Sequence, residues 1–299
     1  MGKFYESIMG LVVGDALGVP FEFRQRDTFK AEGMIGFGTH NQPPGTWSDD
    51  SSMTLATVES MARMHKVNPY DIMKNFDQWF FDGAFTPHGK VFDCGFTTRN
   101  AILRFANSAS VEECGGRGEM DNGNGSLMRI LPLAFVPGVT YEDVFSVSGL
   151  THAHITSKSA CWHYVVMAQA LLEGCDKETS KRIFRLADLS HPFDRLKLLD
   201  SLTRDEIRSS GYVVDTLEAA LWCFLNADSY RECVLMAVNL GEDTDTVAAV
   251  AGGLAGIYYG IGGDKGIPQE WIDQIVKKDM IKDLCDRFEE TFMKGNDQK

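Results

Sequence analysis

The sequence predicts an all-α fold. Apolar residues recur at helical spacing in stretch after stretch of the 299 residues. Alternating strand patterns are nearly absent, and no internal repeat stands out. With 44% hydrophobic and 24% charged residues, the chain has an ordinary globular composition and enough apolar side chains for a core without staples. The seven cysteines are scattered and form no C-x-x-C pair, so neither a zinc ribbon nor a disulfide framework is suggested. A reducing cytoplasm is the compartment that fits them. The formal net charge of −13 argues against nucleic acid or an anionic membrane as the main partner. It leaves room for a small anionic ligand, because bound divalent cations would reverse the local field.

The elements follow in order. Phe4, Ile8, Leu11 and Val12 place a first helix that ends between Gly14 and Gly18. Its apolar run is too short, and too soon interrupted by Asp15, for a signal peptide. Residues 27–47 are rich in glycine, proline and polar side chains and read as loop. Met53, Ala56, Thr57, Ser60, Met61 and Met64 give a second helix. Pro69 suits the first turn of a third, with Ile72, Met73, Phe76, Trp79 and Phe80 inward. Ile102, Leu103 and Phe105 mark a fourth, after which residues 107–125 are a glycine-rich loop. A helix is expected to begin at Ser126. A long one follows Thr151-His152-Ala153-His154, with Cys161, Tyr164, Val165, Ala168, Leu171 and Leu172 buried. Helical patterns continue over 177–189, 193–202, 214–225 and 230–239. The small-residue run 247–263 carries Gly252, Gly256 and Gly260 at helix-packing spacing; closely flanking Asp245 and Asp264 make it a buried helix, not a membrane span. Pro268 opens the last helical region, and 294–299 form a polar tail.

Two clusters carry the chemistry. Gly241-Glu242-Asp243-Thr244-Asp245-Thr246 offers three hard oxygen donors in four positions. Residues i and i+2 diverge inside a helix, so the aspartates converge only on a loop or at a first helical turn. Taken alone, either aspartate is equally well explained as a helix cap. Far upstream, however, Ser48-Asp49-Asp50-Ser51-Ser52 repeats the same composition, also just before a helical pattern. Two such clusters suggest one metal site built from both ends of the chain. All-oxygen donors suit Mg²⁺, Mn²⁺ or Ca²⁺. Gly123-Asn124-Gly125-Ser126 permits close approach of backbone N–H groups to an anion. It is no dinucleotide fingerprint, because Met128 stands where the third glycine belongs. Asp93 reads as a cap or turn residue, and His152 and His154 as cap or surface groups. Asp243-x-Asp245-x-Val247 also fits a haloacid-dehalogenase pattern, but too little chain follows for that α/β domain.

Taken together, six motifs occur in the order found in ADP-ribosylglycohydrolases. They are Gly14-Asp15-Ala16-Leu17-Gly18 with Glu22, Trp47-Ser48-Asp49-Asp50-Ser51, Phe92-Asp93-x-Gly95-x-Thr97-Thr98, Gly123-Asn124-Gly125-Ser126-x-Met128-Arg129, Thr151-His152, and Gly241-x-Asp243-Thr244-Asp245-Thr246. The sequence most resembles the bacterial branch typified by the dinitrogen-reductase-activating glycohydrolase. The resemblance implies a single domain over 1–299, a compact orthogonal multi-helix bundle, and hydrolysis of the bond between ADP-ribose and an acceptor, foremost arginine on protein. It implies that Ser48, Asp49, Asp50, Asp243, Asp245 and Thr246 hold two Mg²⁺ ions, with Mn²⁺ as a substitute. It places Glu22 on a flap near the metals and Asp93 beside the distal ribose, giving Glu22, Asp49 and Asp93 as the catalytic carboxylates. Gly123, Asn124, Gly125, Ser126 and Met128 would cradle the diphosphate, with His152 close to it. The implied partner is ADP-ribose or an ADP-ribosylated protein, acted on by a monomer. Serine-linked and other ADP-ribose derivatives are alternative substrates, and a non-catalytic ADP-ribose-binding or crystallin-like protein is the alternative class.

Overall fold

Residues 2–293 are described in the computed structural model. Among the described residues the chain forms α1 (Lys3–Gly18), α2 (Asp49–Met64), α3 (Pro69–Asp82), α4 (Phe96–Ala106), α5 (Val111–Cys114), α6 (Tyr141–Gly149) and α7 (Ile155–Leu172). It continues with α8 (Lys177–Leu186), α9 (Val213–Asn226), α10 (Tyr230–Val238), α11 (Thr244–Tyr259), α12 (Gln269–Ile272) and α13 (Lys278–Phe292). No strand occurs among them, only three isolated β-bridges. The fold is all-α, and one connected core of buried apolar side chains runs from Phe4 to Phe288.

Helix starts follow local chemistry. The Asn68 side chain accepts from the Asp71 amide, with Pro69 in the first turn of α3. Asp176 caps α8 and Ser229 caps α10 in the same way. The first helix and α11 form the axis of the molecule. A β-carbon at Gly10 would lie 2.4 Å from the Gly252 carbonyl oxygen, and one at Gly14 2.1 Å from that of Ala248. One at Gly18 would lie 2.3 Å from the Asp245 Cα. Partner numbers fall as glycine numbers rise, so the two helices run antiparallel, backbone against backbone, as glycine alone permits. Lys3–Phe21 is apolar enough to cross a membrane by composition, yet 94% of that window is buried by the rest of the chain. This close contact brings Asp15, near the end of α1, beside Asp245 at the start of α11.

Four sequence expectations change, the first being that the expected loop over 107–125 contains α5 and a 3-10 turn over Glu119–Asp121. Residues 193–202 form a short 3-10 helix over Asp194–Leu198 rather than an α-helix. Their buried residues Phe193, Leu196 and Leu199 are spaced three apart, which is the period of that tighter helix. No helix begins at Ser126; residues 125–129 are turns, with Met128 N donating to Asn124 O at 3.1 Å. Pro132 lies too close behind for an α-helix to extend there. The region after Pro268 divides into α12 and α13, separated by Lys277 in a left-handed conformation (φ 57°). The polar tail at 294–299 lies outside the described residues.

Candidate active site

The two acidic clusters meet. Ser48 caps α2, its hydroxyl accepting from the Asp50 amide (3.3 Å) and donating to Asp50 Oδ2 (2.9 Å). From the other end of the chain, Thr246 Oγ1 reaches the same Asp50 oxygen at 3.4 Å. Asp243 occupies the cap position of α11, but its side chain makes no cap bond. Its Oδ2 instead accepts from Asn124 Nδ2 at 2.8 Å. Asp50 Oδ1, Asp243 Oδ1 and Asp245 Oδ2 are buried with no hydrogen-bond partner. Ligand oxygens of Asp15, Asp50 and Asp245 lie within 4.8 Å of one another, as do those of Glu22, Asp243 and Asp245. Buried carboxylate oxygens without donors are costly unless a cation satisfies them. The donor set therefore fits hard metal ions.

Burial raises the proton affinity of Asp49, Asp50, Asp243 and Asp245, and neighbouring carboxylates push in the same direction. Asp49 lines a cavity of about 420 Å³ together with Glu22, Asp93, Asp243 and Thr246. Gly123, Asn124, Gly125, Met128 and His152 line the same cavity. Among the described residues, no lysine or arginine lines this cavity. Asp93 is not the cap of α4, a position held by Gly95. It is half-buried, and desolvation raises its pKa against the opposing effect of His40. A second hollow of about 630 Å³, with His154 and Tyr212 in its wall, shares Met120, Gly123 and Gly211 with the first.

Backbone bonds hold the glycine loop in place. Asn124 N donates to Gly211 O at 3.0 Å, and Val213 N to Asn122 O at 3.0 Å. The Ser126 hydroxyl does not face the cavity; it is buried against Cys161 Sγ (3.4 Å) and Ser148 Oγ (3.0 Å). His152 is buried beside the loop and lines the cavity, while His154 caps α7.

Two site residues lay outside the sequence-based set. Asp15 accepts from the Ser48 amide (2.9 and 3.0 Å), the Ser51 amide (3.0 Å) and the Ser51 hydroxyl (2.5 Å), and so organises the start of α2. Burial pushes its pKa up to about 6. Its only signal was its place in the first glycine motif. The second is His40, whose Nε2 meets the Glu22 carboxylate and whose ring lies against Phe92 (5.3 Å between centroids). Burial pushes Glu22 up to about 7, with His40 opposing. Nothing in the spacing of the 27–47 loop singles out His40.

The ADP-ribosylglycohydrolase family profile matches residues 1–297. The chain is 33% identical over 297 residues to the ADP-ribosylarginine hydrolase Tri1 of Serratia proteamaculans, covering 96% of this chain and 79% of the relative. It is 30% identical over 286 residues to the ADP-ribosyl-[dinitrogen reductase] glycohydrolase of Rhodospirillum rubrum, covering 91% and 90%. A solved structure described as an ADP-ribosylglycohydrolase-related protein complex matches with a TM-score of 0.82 at 30% identity, over 97% of this chain and 98% of that one. With the profile spanning nearly every residue and the acidic motifs meeting at one cavity, the chain belongs to the ADP-ribosylglycohydrolase family and is a hydrolase.

Proposed function

We propose that the protein removes ADP-ribose from arginine side chains of modified proteins, as a cytoplasmic monomer using two Mg²⁺ ions that Mn²⁺ can replace. The observation that carries this reading is the set of unpartnered carboxylate oxygens on Asp50, Asp243 and Asp245 beside a cavity with a glycine loop. The arginine acceptor is supported by the two relatives, whose names are those of an arginine hydrolase and a protein-directed glycohydrolase. A cavity without lysine or arginine in its lining is also suited to a guanidinium leaving group.

Ser48, Asp49, Asp50, Asp243, Asp245 and Thr246 would hold the ions. When bound, such ions supply Lewis acidity toward ribose hydroxyls and an attacking water. The carboxylates of Asp49 and Asp93 face the cavity and offset positive charge that builds on the ribose as the glycosidic bond breaks. Glu22, at the cavity edge with His40 on its carboxylate, is placed to hold or pass a proton. Asn124 ties the glycine loop to Asp243, so the anion-binding and carboxylate sides of the site keep a fixed separation. The diphosphate would rest against Gly123 and Gly125, and the adenosine would extend toward the hollow lined by Tyr212 and His154.

The test is release of ADP-ribose from arginine-linked and serine-linked substrates, side by side, with Mg²⁺ and with excess chelator. Faster release from arginine, lost in chelator, is the expected result. Full turnover after exhaustive metal removal would overturn the metal assignment, and preferential serine release the acceptor. A second expected result concerns the cradle. A β-carbon at Gly125 would lie 2.8 Å from both His152 Cε1 and Thr98 Oγ1, so Gly125→Val must displace side chains that line the cavity beside the loop and reshape the cradle. ADP-ribose affinity should fall at least about tenfold with Mn²⁺ affinity little changed, measured by calorimetry. Equal ADP-ribose affinity in the two proteins would remove the cradle from the mechanism.

A further inference from the structure

A buried cation behind the glycine loop is not used by the chemistry above. Arg129 is wholly enclosed, and its guanidinium lies over the Phe76 ring, 4.6 Å from the centroid. Nη2 donates to Thr151 Oγ1 at 2.8 Å and to the Val147 carbonyl at 3.2 Å, whereas Nε and Nη1 find no acceptor. Among the described residues, no carboxylate forms an ion pair with it. Burying a charge in this way is unfavourable, and the desolvation lowers its pKa only to about 10, so it stays charged at neutral pH.

The contacts of Arg129 define a direction. A guanidinium has donors and no acceptor, so Thr151 Oγ1 must accept from it. The threonine hydroxyl has one proton of its own, and its other partner is His152 Nδ1 at 2.8 Å. With Nδ1 accepting, the ring hydrogen of the uncharged imidazole sits on Nε2. That nitrogen faces the glycine loop: a β-carbon would lie 3.4 Å from it at Gly123 and 3.5 Å at Gly125. The backbone around His152 is anchored as well, with Gly116 N donating to Thr151 O (2.9 Å) and Ala153 N to Gly116 O (2.7 Å).

We infer that Arg129, acting through Thr151, is a positioning residue that sets His152 as an Nε2–H donor aimed at the diphosphate in the Gly123–Gly125 cradle. This rests on the cradle reading above. Burial, and then the charge of Arg129, push the His152 pKa down to about 3, so the donor is a neutral ring. The polarised Thr151 hydroxyl strengthens the bond to Nδ1 and makes Nε2–H the better donor. The chain thereby offers the anion a directed hydrogen bond without adding a cation to the cavity wall.

The experiment uses the full chain with ¹⁵N-labelled histidine, ADP-ribose as the probe, and the variants Thr151→Val, Thr151→Ser and Gly125→Val. In the parent, the His152 signals should report protonated Nε2 and unprotonated Nδ1, without titration between roughly pH 5 and 8. Thr151→Val keeps the side-chain shape and removes the hydroxyl. It should lose the fixed tautomer and weaken ADP-ribose binding about tenfold or more. Thr151→Ser should keep both, and Mn²⁺ affinity should hold in both Thr151 variants. A parent ring protonated on Nδ1, or an imidazolium at neutral pH, would overturn the relay. So would parental ADP-ribose affinity in Thr151→Val while Gly125→Val is impaired. If neither variant changes affinity, the cradle itself is wrong and the proposed aim of His152 falls with it.

Discussion

Asp50→Asn should abolish turnover and, in the same protein, raise the melting temperature of the metal-free form. The two effects share one cause. Asp50 is enclosed beside Asp15 and Asp245, one of its oxygens has no donor, and burial and its neighbours raise its pKa. In the absence of a cation, ionising it there is unfavourable. Asparagine keeps the shape, removes the charge, and lets Ser48 and Thr246 bond to an amide. With cation present the order reverses. A group that binds only the folded state stabilises it by about 2.7 kcal/mol at a hundred times its dissociation constant. The parent should therefore gain several degrees on adding Mg²⁺ and the variant almost none. Loss of several kcal/mol of Lewis-acid assistance corresponds to a rate loss of roughly 10³-fold or more. A variant that still turns over, or still gains stability from Mg²⁺, would show that Asp50 is not a ligand. Asp243→Asn should behave alike in activity.

The same crowding predicts a pH dependence. Folded-state values near 6 for Asp15 and 7 for Glu22 lie above the ~3.9 and ~4.3 of unfolded chains. Their contribution to stability is thus whole below the unfolded values and lost as pH rises through the folded ones. Metal-free protein should melt lower at pH 8 than at pH 6. Metal-loaded protein should show less of this slope, because bound cations neutralise the same carboxylates. An equal slope with and without Mg²⁺, followed by calorimetry, would separate the titrating groups from the metal site.

Residue spacing was enough to locate most helices, because apolar residues 3.6 apart leave few other folds. The acidic clusters were legible for a different reason: the same hydroxyl–carboxylate composition occurs twice, far apart in the chain and each time just before a helical pattern. The contributions of Asp15, His40 and Arg129 were not legible, since each depends on what long-range packing places opposite it. Asp15 reaches the site through the glycine contact between α1 and α11, and no local pattern reports a partner more than two hundred residues away. Ser126 shows the converse. It sits in the right motif, yet its hydroxyl turns inward to Ser148 and Cys161. The missing helix at Ser126 has a local cause, Pro132, which limits any helix starting there to little more than one turn.

Asp93→Asn tests the carboxylate whose structural and functional readings lie closest. The structure removes one structural role, because Gly95 and not Asp93 caps α4. Asp93 instead faces the cavity near Glu22 and His40, with ligand atoms of the three within 4.8 Å of one another. Asparagine would keep its size and its ability to accept a hydrogen bond. It would remove the charge that opposes Glu22 and Asp49, so the metal-free protein should be no less stable. If Asp93 orients the ribose or moves a proton, turnover should fall by about 10²–10⁴-fold. The decisive measurement is paired: kcat with saturating Mg²⁺, and melting temperature with and without the ion. Lost turnover with an unchanged Mg²⁺-induced rise in melting temperature assigns Asp93 to the substrate and not to the metals. A rise that shrinks as it does in Asp50→Asn would make it a ligand. Parental turnover would remove Asp93 from the catalytic set, despite its match to the family motif.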